Sequence, residues 1–176
     1  MNKKYWPVPN SFFKNVPKKG TPGSFWEDRY DRYHFGVDIY APEGSNVVSI
    51  DDGKVLDIGI FTSPDKISYW KRTYYILIKN KDGFICKYAE LKEIIVKIDE
   101  SVKAGQLIGS IGTVLDVENI TKKSPQYIQK LKSNKFSSML HFEVYKSKPN
   151  IHEAYLGGNW FGNKKPGNLL NPEDYL

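Results

Sequence analysis

A series of short β-rich runs, separated by tight-turn signals, constrains the fold of this chain more than any other feature. Two pairs of runs flank an acidic residue followed by glycine: residues 46–50 and 54–60 flank Asp51-Asp52-Gly53, and residues 73–80 and 84–91 flank Lys81-Asp82-Gly83. A turn of this kind predicts a β-hairpin in which glycine takes a positive φ at little cost. The spacing therefore predicts two hairpins in an all-β chain.

Three later runs extend the β pattern. Residues 93–99 are β-rich, residues 100–112 are punctuated by glycines that suit short strands at tight bends, and residues 139–145 form the last strong run. Two insertions, residues 61–72 and residues 114–138, interrupt this pattern. The second insertion contains Ser124-Pro125, which predicts one inserted helix that runs through Lys132 with the serine as its cap.

The two ends of the chain differ from the β-rich middle. Residues 1–33 carry proline, glycine, lysine and aromatic side chains without a sustained period, so we predict a wrapping arm. Residues 34–176 are then a single domain. Near the C-terminus, Asn171-Pro172 predicts a short closing helix or turn.

The composition fits one folded domain and limits its partners only weakly. Of the 176 residues, 40% are hydrophobic, and the longest apolar runs, such as residues 74–78, are too short to span a membrane. The net charge of +6 is spread along the chain, so a solvated basic surface explains it better than binding to nucleic acid does. The single cysteine, Cys86, excludes an internal disulfide and indicates nothing about the compartment.

Two of the three histidines lie in strand-like contexts together with a carboxylate. Side chains four apart on a strand share a face, so His34 and Asp38 can converge on one metal ion. His141 shares a face with Glu143 in the same way. Two histidines and one carboxylate, with a fourth position open to water, form a common catalytic zinc site. Such spacing also arises by chance, so by itself it favours structural histidines.

Longer stretches of the sequence resemble the lysostaphin/LytM family of zinc endopeptidases. The twelve residues that begin at His34 (HFGVDIYAPEGS) resemble the family pattern H-x-G-x-D-[IL]-x-A-P-x-G-[ST]. YAEL at 88–91, VKAGQLIGSIG at 102–112 and LHFEV at 140–144 resemble, in the same order, the patterns Y-A-H-L, V-K-x-G-Q-x-I-G-x-x-G and H-L-H-F-E-[VL]. These matches cover about residues 34–145, apart from the two insertions.

The resemblance implies a groove-shaped antiparallel sheet of the duplicated hybrid motif type and the hydrolysis of peptide bonds in bacterial peptidoglycan. It carries the family's zinc ligands over to His34, Asp38 and His141, all of which are present. Glu143 is then expected to support a ligand histidine. The family acts outside the cytoplasm, so an extracytoplasmic location is expected, although no signal peptide is visible in this chain.

Two positions depart from the family pattern. The family has one histidine in Y-A-H-L and another as the first histidine of H-x-H, whereas this chain has Glu90 and Met139 there. Methionine can neither carry a proton nor donate a hydrogen bond. Glutamate can act as a general base, or it can become a fourth metal ligand. We expect Glu90 to be the catalytic base if the enzyme is active, and Met139 to mark a substituted catalytic position.

The sequence leaves three classes of function open. The first is a zinc-dependent peptidase, and the second is a catalytically impaired homologue that binds wall peptides or regulates a partner hydrolase. Packing of residues 114–138 into the groove as a lid would support the second class. The third is a carrier domain, because residues 100–112 also resemble biotinyl and lipoyl hairpins, but the methionine-flanked lysine of such carriers is absent. The oligomeric state is not predicted.

Overall fold

The computed structural model describes residues 4–132, 137–150 and 152–176, and these residues form an almost entirely β structure. The strands, in chain order, are β1 (Tyr33–His34), β2 (Val37–Tyr40), β3 (Asn46–Val48), β4 (Gly53–Thr62), β5 (Thr73–Asn80), β6 (Ile85–Ile94), β7 (Ser101–Val102), β8 (Leu107–Ile111), β9 (Met139–Tyr145), β10 (Tyr155–Leu156), β11 (Asn159–Trp160) and β12 (Leu169–Leu170). One short α-helix, α1, covers Gln126–Leu131, and two 3-10 helices cover Val117–Asn119 and Pro172–Asp174. No helix within the described ranges is both long and apolar enough to cross a bilayer.

Nine of the strands form one antiparallel sheet, in which β12, β9, β6, β5, β4 and β7 are successive neighbours. β2 pairs with β9, while β8 pairs with both β3 and β6. A second, three-stranded sheet has the order β1-β11-β10. The prediction of an all-β chain with an antiparallel sheet is confirmed.

β9 is the strand that positions the candidate site, because it lies between β2 and β6. Its register places His141 opposite Asp38 of β2 and opposite Ala89 of β6. The flanking residues Leu140 and Phe142 are completely buried and belong to the main hydrophobic core. Burial of such a side chain contributes roughly 1.5–3 kcal/mol, so the core holds this register firmly.

Residues 5–12 of the arm contact the main sheet and also contribute to its core. The Tyr5 amide donates to the Ile50 carbonyl at 2.9 Å, and the Phe12 amide donates to the Tyr40 carbonyl at 2.9 Å. Val8, between these two contacts, is completely buried in the main core. This part of the arm is therefore packed against the sheet.

The first predicted hairpin is wrong, and the second is confirmed. β3 pairs with β8 rather than with β4, and Gly53 does not have a positive φ. Glycine is needed at position 53 for another reason, since a Cβ there would lie 2.6 Å from the Lys79 carbonyl oxygen. β5 and β6 do form a hairpin, and Gly83 in its turn has a φ of 92°.

Two smaller predictions are also wrong. β6 continues to Ile94 and the chain then leaves the sheet, so residues 93–99 form no separate strand. Pro125, and not Ser124, occupies the N-cap position of α1, which has no side-chain cap. The Ser124 hydroxyl accepts a hydrogen bond from the Thr121 amide instead, so it is engaged in the preceding turn. Residues 133–136 of this insertion lie outside the described residues.

Candidate metal centre

Three side chains that the sequence predicts as metal ligands converge where β1, β2 and β9 meet. Nε2 of His34 lies 3.1 Å from Oδ1 of Asp38 and 3.1 Å from Nδ1 of His141, and the last two atoms are also 3.1 Å apart. The exposed fractions of these residues are only 1–5%. Within the described part of the chain, they are the group of histidine and carboxylate side chains that is arranged to hold a metal ion.

The second nitrogen of each histidine has a partner that can only accept a hydrogen bond. Nδ1 of His34 lies 2.8 Å from the carbonyl oxygen of Ser24, and Nε2 of His141 lies 2.8 Å from Oε1 of Glu143. The proton of each neutral imidazole is therefore assigned to that nitrogen. This assignment leaves lone pairs on the two nitrogens that face each other, as metal ligation requires.

Two facing lone pairs 3.1 Å apart require a cation between them. Burial lowers the pKa of His141, but its contacts with Asp38 and Glu143 outweigh burial and raise the pKa to about 9, so a proton is favoured at this position. Zinc accepts imidazole nitrogens and carboxylate oxygens as ligands, and metal binding releases such a proton. The donor set, with its free lone pairs, therefore fits a zinc ion.

The Asp38 carboxylate has a partner on each oxygen. Oδ1 faces the two histidines, while Oδ2 lies 3.4 Å from Nη2 of Arg29. Arg29 also donates to Glu27 at 3.1 Å and to Asn159 at 3.1 Å. Burial raises the pKa of Asp38, but the neighbouring histidines outweigh that effect and lower it, so the carboxylate is ionised. Arg29 therefore holds Asp38 with Oδ1 directed at the other two ligands.

Two of these outer partners, the Ser24 carbonyl and Arg29, precede β1 and were not predicted from the sequence. No sequence pattern signals them, because one acts through its backbone and the other depends on how residues 24–33 fold. That segment contains two non-glycine residues with positive φ, Trp26 at 56° and Tyr30 at 73°. Such conformations are rare for these side chains, so they could not be read from residue type.

Glu143 lies beside His141, as the sequence predicts, and is completely buried. It accepts hydrogen bonds from the hydroxyls of Tyr145 and Tyr155, the latter at 2.6 Å, as well as from His141. Nζ of Lys87 lies 3.4 Å from Oε2. Burial raises the pKa of Glu143, but Lys87 and His141 outweigh it, so the pKa falls to about 2. The carboxylate is thus ionised and held from several sides.

Glu90 follows directly after Ala89, the residue of β6 that lies opposite His141. Its φ of 63° is unusual for a glutamate and costs roughly 1–2 kcal/mol. Oε2 is buried and has no hydrogen-bond partner among the described residues. Burial and the charge of Asp38 raise the pKa of Glu90 to about 8. Glu90 is thus a strained residue with an unsatisfied oxygen, within electrostatic reach of Asp38, a combination that is common at functional sites.

Met139 lies opposite Tyr40 of β2 and is half-buried. It is two residues from His141 on β9, so the two side chains share a face. Methionine offers a weak sulfur acceptor and no hydrogen-bond donor. The position therefore lacks the proton-carrying group that the lysostaphin/LytM pattern has there.

Two further elements cover the ring of His141. The Phe61 ring stacks on it at a centroid distance of 5.5 Å, and a Cβ at Gly158, in the β10–β11 turn, would lie 2.7 Å from it. The neighbouring Gly157 lies against the ring of Trp70, which belongs to the first insertion. Phe61, Trp70 and this pair of glycines are parts of the site that no sequence pattern predicts.

The two insertions contact each other beside this cover. The Lys71 amide donates to the Val114 carbonyl at 2.6 Å, and the Asp116 amide donates to the Tyr69 carbonyl at 2.9 Å.

On the arm side, a cleft of about 290 Å³ reaches Asp38. Its lining residues are Phe13, Asn15, Pro17, Pro22, Asp38, Ile39 and Tyr40.

The family model of peptidase family M23 matches residues 32–153. The chain belongs to peptidase family M23. The matched region of this M23 chain runs from β1 past β9 and includes the three converging side chains, Glu90 and Met139. Ser24, Arg29 and the β10–β11 turn lie outside it.

Known proteins resemble this chain in sequence or in fold. The M23 chain is 29% identical over 107 residues to the cell division protein DipM of Caulobacter vibrioides, with 61% of this chain and 15% of DipM covered. It is 35% identical over 80 residues to the peptidoglycan DD-endopeptidase ShyC of Vibrio cholerae, with 45% and 16% covered. The structure of lysostaphin from Staphylococcus simulans matches with a TM-score of 0.56 at 20% identity, over 98% of this chain and 54% of lysostaphin. The chain thus has the lysostaphin fold and spans about one sixth of the length of DipM and ShyC.

Proposed function

We propose that this M23 domain is a zinc-dependent endopeptidase that hydrolyses peptide bonds in bacterial peptidoglycan outside the cytoplasm. The observation that carries the proposal is the donor geometry of His34, Asp38 and His141. Each donor atom faces the other two, and the opposite atom of each side chain is held by its own partner. The family and the activity in the name of ShyC support the choice of peptidoglycan as substrate.

In this proposal Nε2 of His34, Oδ1 of Asp38 and Nδ1 of His141 hold the zinc ion. A zinc ion bound there supplies a Lewis acid that polarises the scissile carbonyl and acidifies water. Glu90 takes the proton from the attacking water as the carbon–oxygen bond forms. It then gives that proton to the amine nitrogen as the carbon–nitrogen bond breaks. The unsatisfied Oε2 of Glu90 supports this assignment.

A donor for the negative charge on the carbonyl oxygen is also needed, because Met139 cannot serve. We assign this role to Arg29. Its side chain is 29% exposed and contacts Asp38 through Nη2, and a guanidinium has five N–H groups, more than its three contacts use. The other N–H groups have no acceptor among the described residues, and this supports the assignment.

The test of the proposal compares the zinc-loaded wild-type chain with Glu90→Gln on isolated peptidoglycan and on pentaglycine. We expect cleavage by wild type and a loss of roughly 100-fold or more in Glu90→Gln, with zinc content unchanged. Glu93→Gln is a matched control, because Glu93 is an exposed residue of the same strand. Zinc-loaded wild type that cleaves neither substrate, or Glu90→Gln that is as active as wild type, would contradict the proposal.

The second candidate is a catalytically impaired homologue that binds wall peptides or regulates a partner hydrolase. Met139 and the deep burial of all three candidate ligands favour this alternative. Co-sedimentation with peptidoglycan separates the two functions. A chain that sediments with the polymer in a zinc-dependent manner and releases no peptide would support the binding function.

A further inference from the structure

A buried lysine, Lys87, lies behind the metal centre and has no part in the proposed hydrolysis. It lies on β6 opposite Glu143 of β9, and its side chain is 8% exposed. Removing an ammonium group from water is costly unless the group is paired and hydrogen-bonded. Its contacts therefore decide what a lysine at this position can do.

The Lys87 ammonium group is enclosed by aromatic rings and by one carboxylate. Nζ lies 2.7 Å from the Tyr155 hydroxyl and 3.4 Å from Oε2 of Glu143. It lies 4.3 Å from the ring centroid of Tyr155, 5.1 Å from that of Tyr75 and 5.3 Å from that of Phe61. Rings at these distances attract a cation. The ammonium group is thus held in one place.

These contacts form a continuous chain of hydrogen bonds that ends at a candidate ligand. Lys87 donates to the Tyr155 hydroxyl, and that hydroxyl donates to Oε1 of Glu143 at 2.6 Å. The same Oε1 accepts from Nε2 of His141 at 2.8 Å. Phe61 contacts both ends of this series of hydrogen bonds, because its ring lies beside the Lys87 ammonium group and also stacks on His141.

We propose that Lys87 is a positioning residue for the metal centre. Together with Tyr155, it fixes the orientation of the Glu143 carboxylate, and Glu143 in turn fixes the ring of His141 with Nδ1 toward the metal. A carboxylate held in this way strengthens its histidine as a metal ligand. The inference rests on the proposed function only in taking His141 as a ligand, and it needs no peptidase activity.

The test is a zinc titration of the full chain in competition with a chelator of known affinity. We expect zinc to bind Lys87→Met about 10–100-fold more weakly than wild type, the usual effect of removing an outer-shell partner. Lys81→Met is the matched control, because Lys81 also pairs with a buried carboxylate, Asp51, at 3.1 Å. Its zinc affinity is expected to stay within about twofold of wild type, since it has no contact with a ligand.

Tyr155→Phe is a second test that keeps the ring and removes only the hydroxyl between Lys87 and Glu143. We expect weaker zinc binding again, and a shifted visible absorption spectrum after cobalt substitution, because the ligand geometry changes. If Lys87→Met does not fold, Tyr155→Phe decides. Folded variants with wild-type zinc affinity and wild-type cobalt spectra would overturn the inference, even if their metal-free forms were less stable.

The outcomes separate this inference from the proposed function. Weakened zinc binding in the two variants, with no peptide cleavage by wild type, would support the positioning role and contradict the peptidase. Peptide cleavage by wild type, with unchanged zinc affinity in both variants, would support the peptidase and contradict the positioning role. A wild-type chain that binds no zinc would overturn both.

Discussion

At the residue scale, each candidate ligand has one atom that faces the metal position and another that faces away from it. The partner that holds the second atom fixes the orientation of the ligand. The Ser24 carbonyl, Arg29 and Glu143 each hold one such atom. The three candidate ligands are predicted through the resemblance to the lysostaphin/LytM patterns, and the alternation of a strand explains how His34 and Asp38 can share a face. Two of the three partners, the Ser24 carbonyl and Arg29, could not be predicted. The first acts through its backbone, and the position of the second depends on a segment with unusual φ values.

The substitution at position 139 gives a prediction at this scale. We expect Met139→His to raise kcat on peptidoglycan by roughly tenfold or more, because a histidine on the face of His141 restores a proton carrier. Met139→Leu keeps the apolar volume and is expected to leave kcat unchanged. Zinc content is measured in parallel, so that a change in metal loading is not mistaken for a change in kcat. An unchanged kcat in zinc-loaded Met139→His would show that the position is not limiting.

At the scale of elements, the sequence predicts strands better than it predicts their partners. The sequence predicts β5 and β6 as a hairpin because a short Lys81-Asp82-Gly83 turn separates them, and Gly83 does have a positive φ in the structure. β3 and β4 are also separated by a short turn, yet β3 pairs with β8, some 60 residues away along the chain. Long-range pairing is decided by the shared core, which a local pattern does not contain.

The arm is the element whose contribution the sequence predicts least. We expect Arg29→Met to lower zinc affinity by about tenfold, because the Asp38 carboxylate loses the partner that orients it. We also expect a lower kcat, because the proposed donor to the carbonyl oxygen is gone. Chelator competition and peptidoglycan digestion measure the two effects.

Arg32→Met is the control for this arm variant. The Arg32 guanidinium pairs with Asp31 and lies over the Phe161 ring. Both zinc affinity and kcat are expected to remain at the wild-type level. Equal losses in the two arginine variants would mean that general positive charge, and not the contact with Asp38, matters.

At the scale of the whole molecule, segments distant in sequence assemble one centre. β1 and β2 supply two candidate ligands, β9 supplies the third, and β6 supplies both Glu90 and Lys87. The arm lies on one side, while Phe61 and the β10–β11 turn cover the other. A sequence pattern can name the residues of such a centre, but the contacts between segments follow from the packing of the complete sheet.

The metal content of the purified full chain tests the central claim most directly. After zinc exposure and removal of excess metal, elemental analysis should find one zinc ion per wild-type chain. Asp38→Ala should retain almost none, because one ligand is missing, whereas His152→Ala should keep its zinc, since His152 is exposed and outside the cluster. Circular dichroism confirms that each variant is folded. Wild type without zinc, or Asp38→Ala with as much zinc as wild type, would contradict the account.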